Sequence, residues 1–421
     1  MKIAIRGGRL IDPAQALDAM VDVFVAAGRI VALGEPPADW HANREIDARG
    51  LAVAPGLIDL AARLTRGTLA TELAAAAAGG ITQVVCSPDA SPVLDDPGQV
   101  DMLRMRAQSL HGATVHPLGA LSVGLAGQQL AEFSKLHAAG CIGFSQGLAT
   151  AVEARFLWQA MNYAATFGFP VWLRPEDASL AAAGVAHDGE VAARLGLAGI
   201  PVSAEVVAIA TQIELARATG ARLHLCRLSS AQGVELVRRA KADGLPVTAD
   251  VSALHLHLTD VDIGNFDPLH KLSPPLRSGR DRDALRRGLL DGTIDAVVSD
   301  HRPLRRDAKQ VPFGEAPAGA TGFETLLSLI IRLAEAERVP LADALSWVGL
   351  RAARAAGLPP PSLALGAPAD IVVFDATGYR LLQPALLRSA GGNYPLLGFE
   401  LPGVIRMTLS RGHIAYDATP H

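Results

Sequence analysis

The sequence is poor in cysteine: Cys86, Cys141 and Cys226 are the only three in 421 residues, and none belongs to a Cys-x-x-Cys pair. So few thiols exclude a disulfide framework and a zinc ribbon, and they make a reducing cytoplasm the expected setting. An excess of one charge is also lacking. The 38 Lys and Arg stand against 42 Asp and Glu, a formal charge of −4, which argues against a nucleic-acid surface and points to no charged partner. Long apolar runs are missing too. The mean hydropathy of +0.26 is high, but alanine supplies much of it, as in Leu69–Ala78, a stretch too short to cross a bilayer. Residues 1–11 alternate like a strand and contain no uninterrupted apolar segment, so they do not read as a secretory signal. What is present is a composition 50% hydrophobic and 19% charged, which can bury a large core and excludes a disordered chain. Twelve histidines would supply a metallohydrolase several times over, so their positions become the question.

Length alone allows about three domains, but α/β barrels exceed that size as one unit, and the pattern favours a barrel. Short runs rich in Val, Ile and Leu alternate with longer Ala/Leu/Arg segments of helical period, as βα repeats around a parallel sheet require. Eight such runs are present: Val53 to Leu60, Ile81 to Cys86, Thr114 to Ala120, Cys141 to Ser145, Val171 to Leu173, Arg222 to Cys226, Pro246 to Val251 and Ile294 to Ser299. Eight is the number that closes a (β/α)8 TIM barrel, here expected over residues 54–355. Amphipathic segments Ala204 to Ala218 and Ala231 to Ala242 lie between them, the second followed by Gly244, where a helix would stop.

The two flanks read differently. Residues 1–53 hold short strands at Ile3 to Ile5, Val21 to Val25 and Arg29 to Leu33; residues 356–421 answer with Ala369 to Asp375 and Gly403 to Leu409. Isolated hairpins are marginal in water, so the flanks are expected to pair into one small composite β domain beside the barrel. The Pro359-Pro360-Pro361 run reads as a hinge between them.

Pro55-Gly56-Leu57-Ile58-Asp59-Leu60-Ala61-Ala62-Arg63-Leu64 resembles the first barrel strand of the cyclic amidohydrolases, above all dihydroorotase. Gly79 to Asp89, Glu176-Asp177, Leu195 to Pro201, Ala204-Glu205, Thr219-Gly220-Ala221, Leu223 to Cys226, Lys271 to Arg277, Asp291 to Ala296 and Ser299-Asp300-His301 follow the same family in order. The resemblance implies an amidohydrolase-type barrel and, in an active member, a metal held by histidines and carboxylates that lowers the pKa of bound water.

Carried over position by position, those ligands are absent. The two histidines of the first strand correspond to Ala61 and Arg63, the bridging acid or modified lysine to Gln146, and the third and fourth histidines to Arg174 and Arg227; only Asp300 remains. Guanidinium has no lone pair to donate and stays protonated. At an effective dielectric of about 20, two unit charges about 4 Å apart repel by about 4 kcal/mol, so a dication among three arginines is opposed. The expectation is therefore no zinc and no other cofactor. Residues that the resemblance assigns to substrate are changed as well: Thr65 replaces an arginine, Asp89 and Ser273 replace asparagines, and Leu304 replaces a histidine.

Three sharper patterns have plain alternatives. His255-Leu256-His257, if on a strand, would put both imidazoles on one face, but no third ligand matches it, and ordinary packing or hydrogen bonding is the expectation. Asp300 with His301 could form a base and its orienting partner; neutralisation of arginines by Asp300 is the alternative. The three cysteines fall in or at strands, where a thiol is a small buried hydrophobe.

Arg63, Arg174 and Arg227 leave two readings. They plug the emptied cavity by pairing with Asp300, Asp89, Asp250 or Glu176, or they hold a small anion such as phosphate or carboxylate. A dihydroorotase body with erased ligands resembles the non-catalytic homologue found beside some bacterial aspartate carbamoyltransferases. That resemblance implies a pseudo-enzyme in pyrimidine biosynthesis, a homodimer within a larger hetero-oligomer with the transferase catalytic subunit. An active cyclic amidohydrolase with an unconventional site, or an anion-sensing regulatory subunit, are the other readings.

Overall fold

The computed structural model describes residues 1–65, 67–149 and 152–418. Seven strands open the chain: β1 (Ile3–Arg6), β2 (Arg9–Asp12), β3 (Leu17–Met20), β4 (Val23–Ala26), β5 (Arg29–Leu33), β6 (Arg44–Asp47) and β7 (Ala52–Pro55). The barrel follows with β8 (Leu57–Ala62), β9 (Ile81–Cys86), β10 (Thr114–Ala120), β11 (Gly143–Ser145) and β12 (Val171–Leu173). A short parallel pair, β13 (Ala186–His187) and β14 (Gly199–Ile200), interrupts it before β15 (Leu223–Leu225), β16 (Val247–Ser252) and β17 (Ala296–Val298) complete the count. The C-terminal strands are β18 (Ile371–Leu381), β19 (Glu400–Ser410) and β20 (His413–Asp417).

The barrel strands lie side by side in chain order, all parallel, from β8 to β17. Every residue of β8, β11, β12, β15 and β17 is buried, the signature of strands covered on both faces. First and last strands meet through a parallel bridge between Ala62 and His301: the His301 amide donates to the Ala61 carbonyl, and the Arg63 amide to the His301 carbonyl, each at 3.0 Å. Asp59 reinforces the seam by accepting from the Ser299 amide at 2.8 Å and the Ser299 hydroxyl at 2.5 Å. Helices connect the strands. Val202–Thr219 ends where Gly220 turns left-handed at φ 71°, and Ala231–Ala242 is capped by Ser230, whose hydroxyl accepts from Gly233 N.

One expected strand divides in two. Within the run from Val53 to Leu60, β7 leaves the barrel to pair with β2 and β18, and only β8 belongs to the barrel. Gly56 makes the break: a Cβ there would lie 2.2 Å from Thr82 side-chain atoms, so the chain passes too close to β9 for any side chain.

Both flanks meet in one six-stranded sheet, ordered β20-β19-β18-β7-β2-β3, and β5-β4-β1-β6 form a second sheet. Ile371 to Phe374 pair antiparallel with Pro55 to Ala52, which joins the two chain ends directly. Ile3, Ile5, Leu10, Val23, Val25, Val53, Ile371, Val373 and Leu409 fill a separate core between the sheets. Directly after the triproline run the chain is tied to the β domain: the Asp12 carboxylate accepts from the Ser362 hydroxyl at 2.9 Å and the Leu363 amide at 2.7 Å. Among the described residues, no helix is long and apolar enough to cross a membrane.

Candidate functional site

In a parallel barrel the C-terminal strand ends form one face, so residues distant in sequence converge there. Ala61, next to last in β8, lies within an apolar cluster that includes Trp172 and Val298. Arg63, just beyond β8, donates from Nε to Asp89 Oδ2 at 2.9 Å, and Asp89 also accepts from the Ser87 hydroxyl at 2.5 Å and the Leu148 amide at 3.2 Å. Arg174, after β12, pairs with Glu176. Arg227, after β15, donates from Nη1 to Asp300 Oδ1 at 2.9 Å, so this pair spans strands six and eight of the barrel. Each arginine thus has its own acid. The six side chains are between 7% and 16% exposed, too buried for the screening that weakens surface ion pairs, yet open to solvent at their edges.

The electrostatics show how tightly these groups are gathered. Burial pulls the Arg174 pKa down; the charges of Arg227 and Arg63 act in the same direction, and Glu176 and Asp300 oppose it. For Arg227, burial is outweighed, chiefly by Asp300, and its pKa is raised. Burial would push the Asp89 carboxyl up, but Arg63 and the Ser87 hydroxyl hold it below its ordinary value. The Asp59 carboxyl at the seam is pushed up to about 7 by burial, against the Ser299 hydrogen bonds.

Other expected site residues are turned to local tasks. Gln146 is buried and donates from Nε2 to the Ser122 hydroxyl and the Leu125 carbonyl, both at 2.8 Å. The Thr65 hydroxyl meets that of Thr68 at 2.9 Å. Ser273 is half-buried ahead of the cis Ser273–Pro274 bond. Asp250, one expected partner of the arginines, accepts instead from His224 Nε2 at 2.9 Å and from the Arg227 backbone amide at 2.7 Å.

The histidine patterns also resolve. His255 and His257 do not share a strand face: Ala253–Leu256 is a 3-10 turn capped by Ser252. His255 Nε2 donates to the Pro274 carbonyl at 3.1 Å and His257 Nε2 to the Leu329 carbonyl at 2.9 Å, so the rings point to different elements. Nor does His301 orient Asp300. Its Nε2 donates to Glu72 at 2.9 Å, its Nδ1 accepts from the Gly322 amide at 3.3 Å, and its ring stacks on Phe323 at 3.7 Å. The three thiols are buried, which pushes Cys86 and Cys141 up to about 12 and Cys226 up as well, so none is a ready thiolate.

A fourth arginine belongs to this face. Arg302, two residues after Asp300, is half-buried; its pKa is pulled down by burial and by Arg63 and Arg174, with Asp300 and Asp89 opposing. The sequence carried a signal for it, since it directly follows the Ser299-Asp300-His301 strand end.

The face is that of an amidohydrolase-type barrel, and its relatives agree. Residues 182–415 match the model of the amidohydrolase family, and residues 50–233 that of the dihydro-orotase-like proteins. A "Dihydroorotase-like protein" of Pseudomonas aeruginosa is 42% identical over 423 residues, covering 99% of this chain and all of the relative. A "Dihydroorotase" of Geobacter sp. (strain M21) is 37% identical over 424 residues, with 99% and 100% covered. The solved L-hydantoinase (dihydropyrimidinase) of Arthrobacter aurescens superposes with a TM-score of 0.86 at 25% identity, over 99% of this chain and 96% of that one. The chain belongs to the dihydroorotase-like branch of the amidohydrolases.

The residues that the resemblance sets at the family's metal positions are poor donors for a divalent ion. Three are guanidinium groups already paired with the nearby acids, one is Ala61, and Gln146 is committed to Ser122 and Leu125. Among the described residues, one trio could approach a metal: His224, Cys226 and Asp250, with ligand atoms within 4.8 Å of one another. Both ring nitrogens of His224 and both oxygens of Asp250 are taken, since Thr248 Oγ1 meets His224 Nδ1 at 2.8 Å. His224 and Asp250 form a hydrogen-bonded strut inside the barrel, with the buried Cys226 thiol beside it.

Proposed function

We propose that this chain is a catalytically inactive dihydroorotase-like subunit that scaffolds and supports an aspartate carbamoyltransferase in pyrimidine biosynthesis. One observation supports the loss of hydrolysis: Arg63, Arg174 and Arg227, which the resemblance sets at ligand positions, are each paired with a carboxylate at the barrel's strand ends. Without a Lewis acid, no arrangement among the described residues at this face supplies hydroxide near neutral pH. The barrel core is carried by other residues, so the body survives the loss. The partner comes from the resemblance of the whole pattern to transferase-associated homologues. On this reading the chain works in the cytoplasm, as a dimer within a larger mixed assembly.

Two measurements test the proposal. Untagged protein should contain no stoichiometric zinc and should not hydrolyse dihydroorotate; turnover dependent on Asp300 would establish an active cyclic amidohydrolase instead. Co-expression with the transferase catalytic subunit should give a complex whose carbamoyltransferase activity falls when this chain is omitted. A transferase fully stable and active alone would overturn the scaffold role.

A further inference from the structure

The arginine–acid pairs leave donors over. Arg63 Nη2, Arg174 Nε and Arg227 Nε are all buried, and none has a hydrogen-bond partner among the described residues. Arg302 makes no side-chain hydrogen bond or ion pair among those residues either, although it lies within electrostatic reach of Arg63, Arg174, Asp89 and Asp300. The acids in the neighbourhood are already engaged: Asp89 by Arg63, Glu176 by Arg174, Asp300 by Arg227, and Asp250 by His224 and the Arg227 amide. Three unmatched N–H groups and one unmatched guanidinium in a single cluster are anomalous, because a buried donor left unpaired is costly.

We propose that Arg63, Arg174, Arg227 and Arg302 together bind a small oxyanion, a phosphate or carboxylate group, at the end of the barrel. Such a group offers several acceptor lone pairs at once and suits guanidinium N–H groups geometrically. The paired side chains keep 7% to 16% exposure, so the cluster borders solvent, and the leftover N–H groups lie just beneath that edge. The three ion pairs then act as a frame that holds the arginines in place, with the leftover N–H groups as the receptor. Plug and anion site are in that case one structure.

The test uses the isolated full chain, so it succeeds or fails independently of any transferase. Calorimetric titration with inorganic phosphate, with malonate and with chloride as control, at low ionic strength and pH 7, should show saturable one-to-one binding of phosphate or malonate. The tighter of the two identifies the source of the anion. Arg302→Ala should weaken that binding by at least about tenfold, the loss of one charge-assisted contact, and Arg302→Lys should recover part of it. Unliganded Arg302→Ala should melt close to wild type, because Arg302 anchors nothing else. Failure of both anions to saturate below about 10 mM, or wild-type affinity in Arg302→Ala, would overturn the proposal.

Discussion

Two buried polar clusters sit only a few residues apart in this chain and are built differently. Around Glu205, no fully buried side-chain N or O of Glu205, Ser229, Ser230 or Arg277 is left without a partner: the carboxylate takes the Ser229 and Ser230 amides at 3.1 Å each and both serine hydroxyls. Arg277 closes the network, with Nε on the Ser229 hydroxyl at 2.8 Å, Nη1 on His187 and the Ile200 carbonyl at 3.3 Å, and Nη2 3.7 Å from Glu205. Around Arg227, two residues before Ser229, the arginines have acids but keep spare N–H groups. The first cluster is complete as folded. The second is complete in charge pairing and incomplete in hydrogen bonding, the difference expected between a structural strut and a place that receives something.

The largest effect that would separate them is Glu205→Ala. It strands a fully buried guanidinium and four donors, and should cost about 3–5 kcal/mol in urea unfolding. Asp300→Asn should cost less, about 1–3 kcal/mol, because Arg227 keeps other acids nearby and the pair borders solvent. It should also tighten phosphate binding, since a competing carboxylate is removed from the cluster. Equal destabilisation by the two variants, with no gain in phosphate affinity, would erase the distinction between strut and site.

How far the sequence revealed this depends on whether a feature is local. The barrel strands were legible because strands buried on both faces read as apolar runs, and each expected run lies on or overlaps an observed one. The split at Gly56 was not, because its cause is a contact with Thr82 across the sheet. His255 and His257 alternate as a strand would, but the Ser252 cap winds them into a turn. At the site, the arginines and their acids could be read as strand-end residues. The engagement of His301 by Glu72, 229 residues away, could not. Arg302 was legible only through its place directly after the Ser299-Asp300-His301 strand end.

The smallest expected effect is a difference in acid response between the clusters' neighbours. Glu72, in the completed network with His301, Ser389 and Ala390, and Asp89, in the arginine cluster, are both held below their ordinary carboxylate values although burial pushes each upward. A depressed folded-state pKa contributes stability that is fully present above the unfolded value, about 3.9 for Asp, and is lost as pH falls through the folded one. Both groups should therefore destabilise the protein below about pH 4. Asp89→Asn removes one source and leaves the other, so its unfolding free energy should fall less steeply than wild type between about pH 4 and pH 2.5. Saturating phosphate should restore little of the wild-type slope, because the anion binds guanidinium N–H groups and leaves the Glu72 network untouched. A variant curve parallel to wild type through that range would mean that Asp89 has no ionic role in the cluster, and that Arg63 is held there by packing.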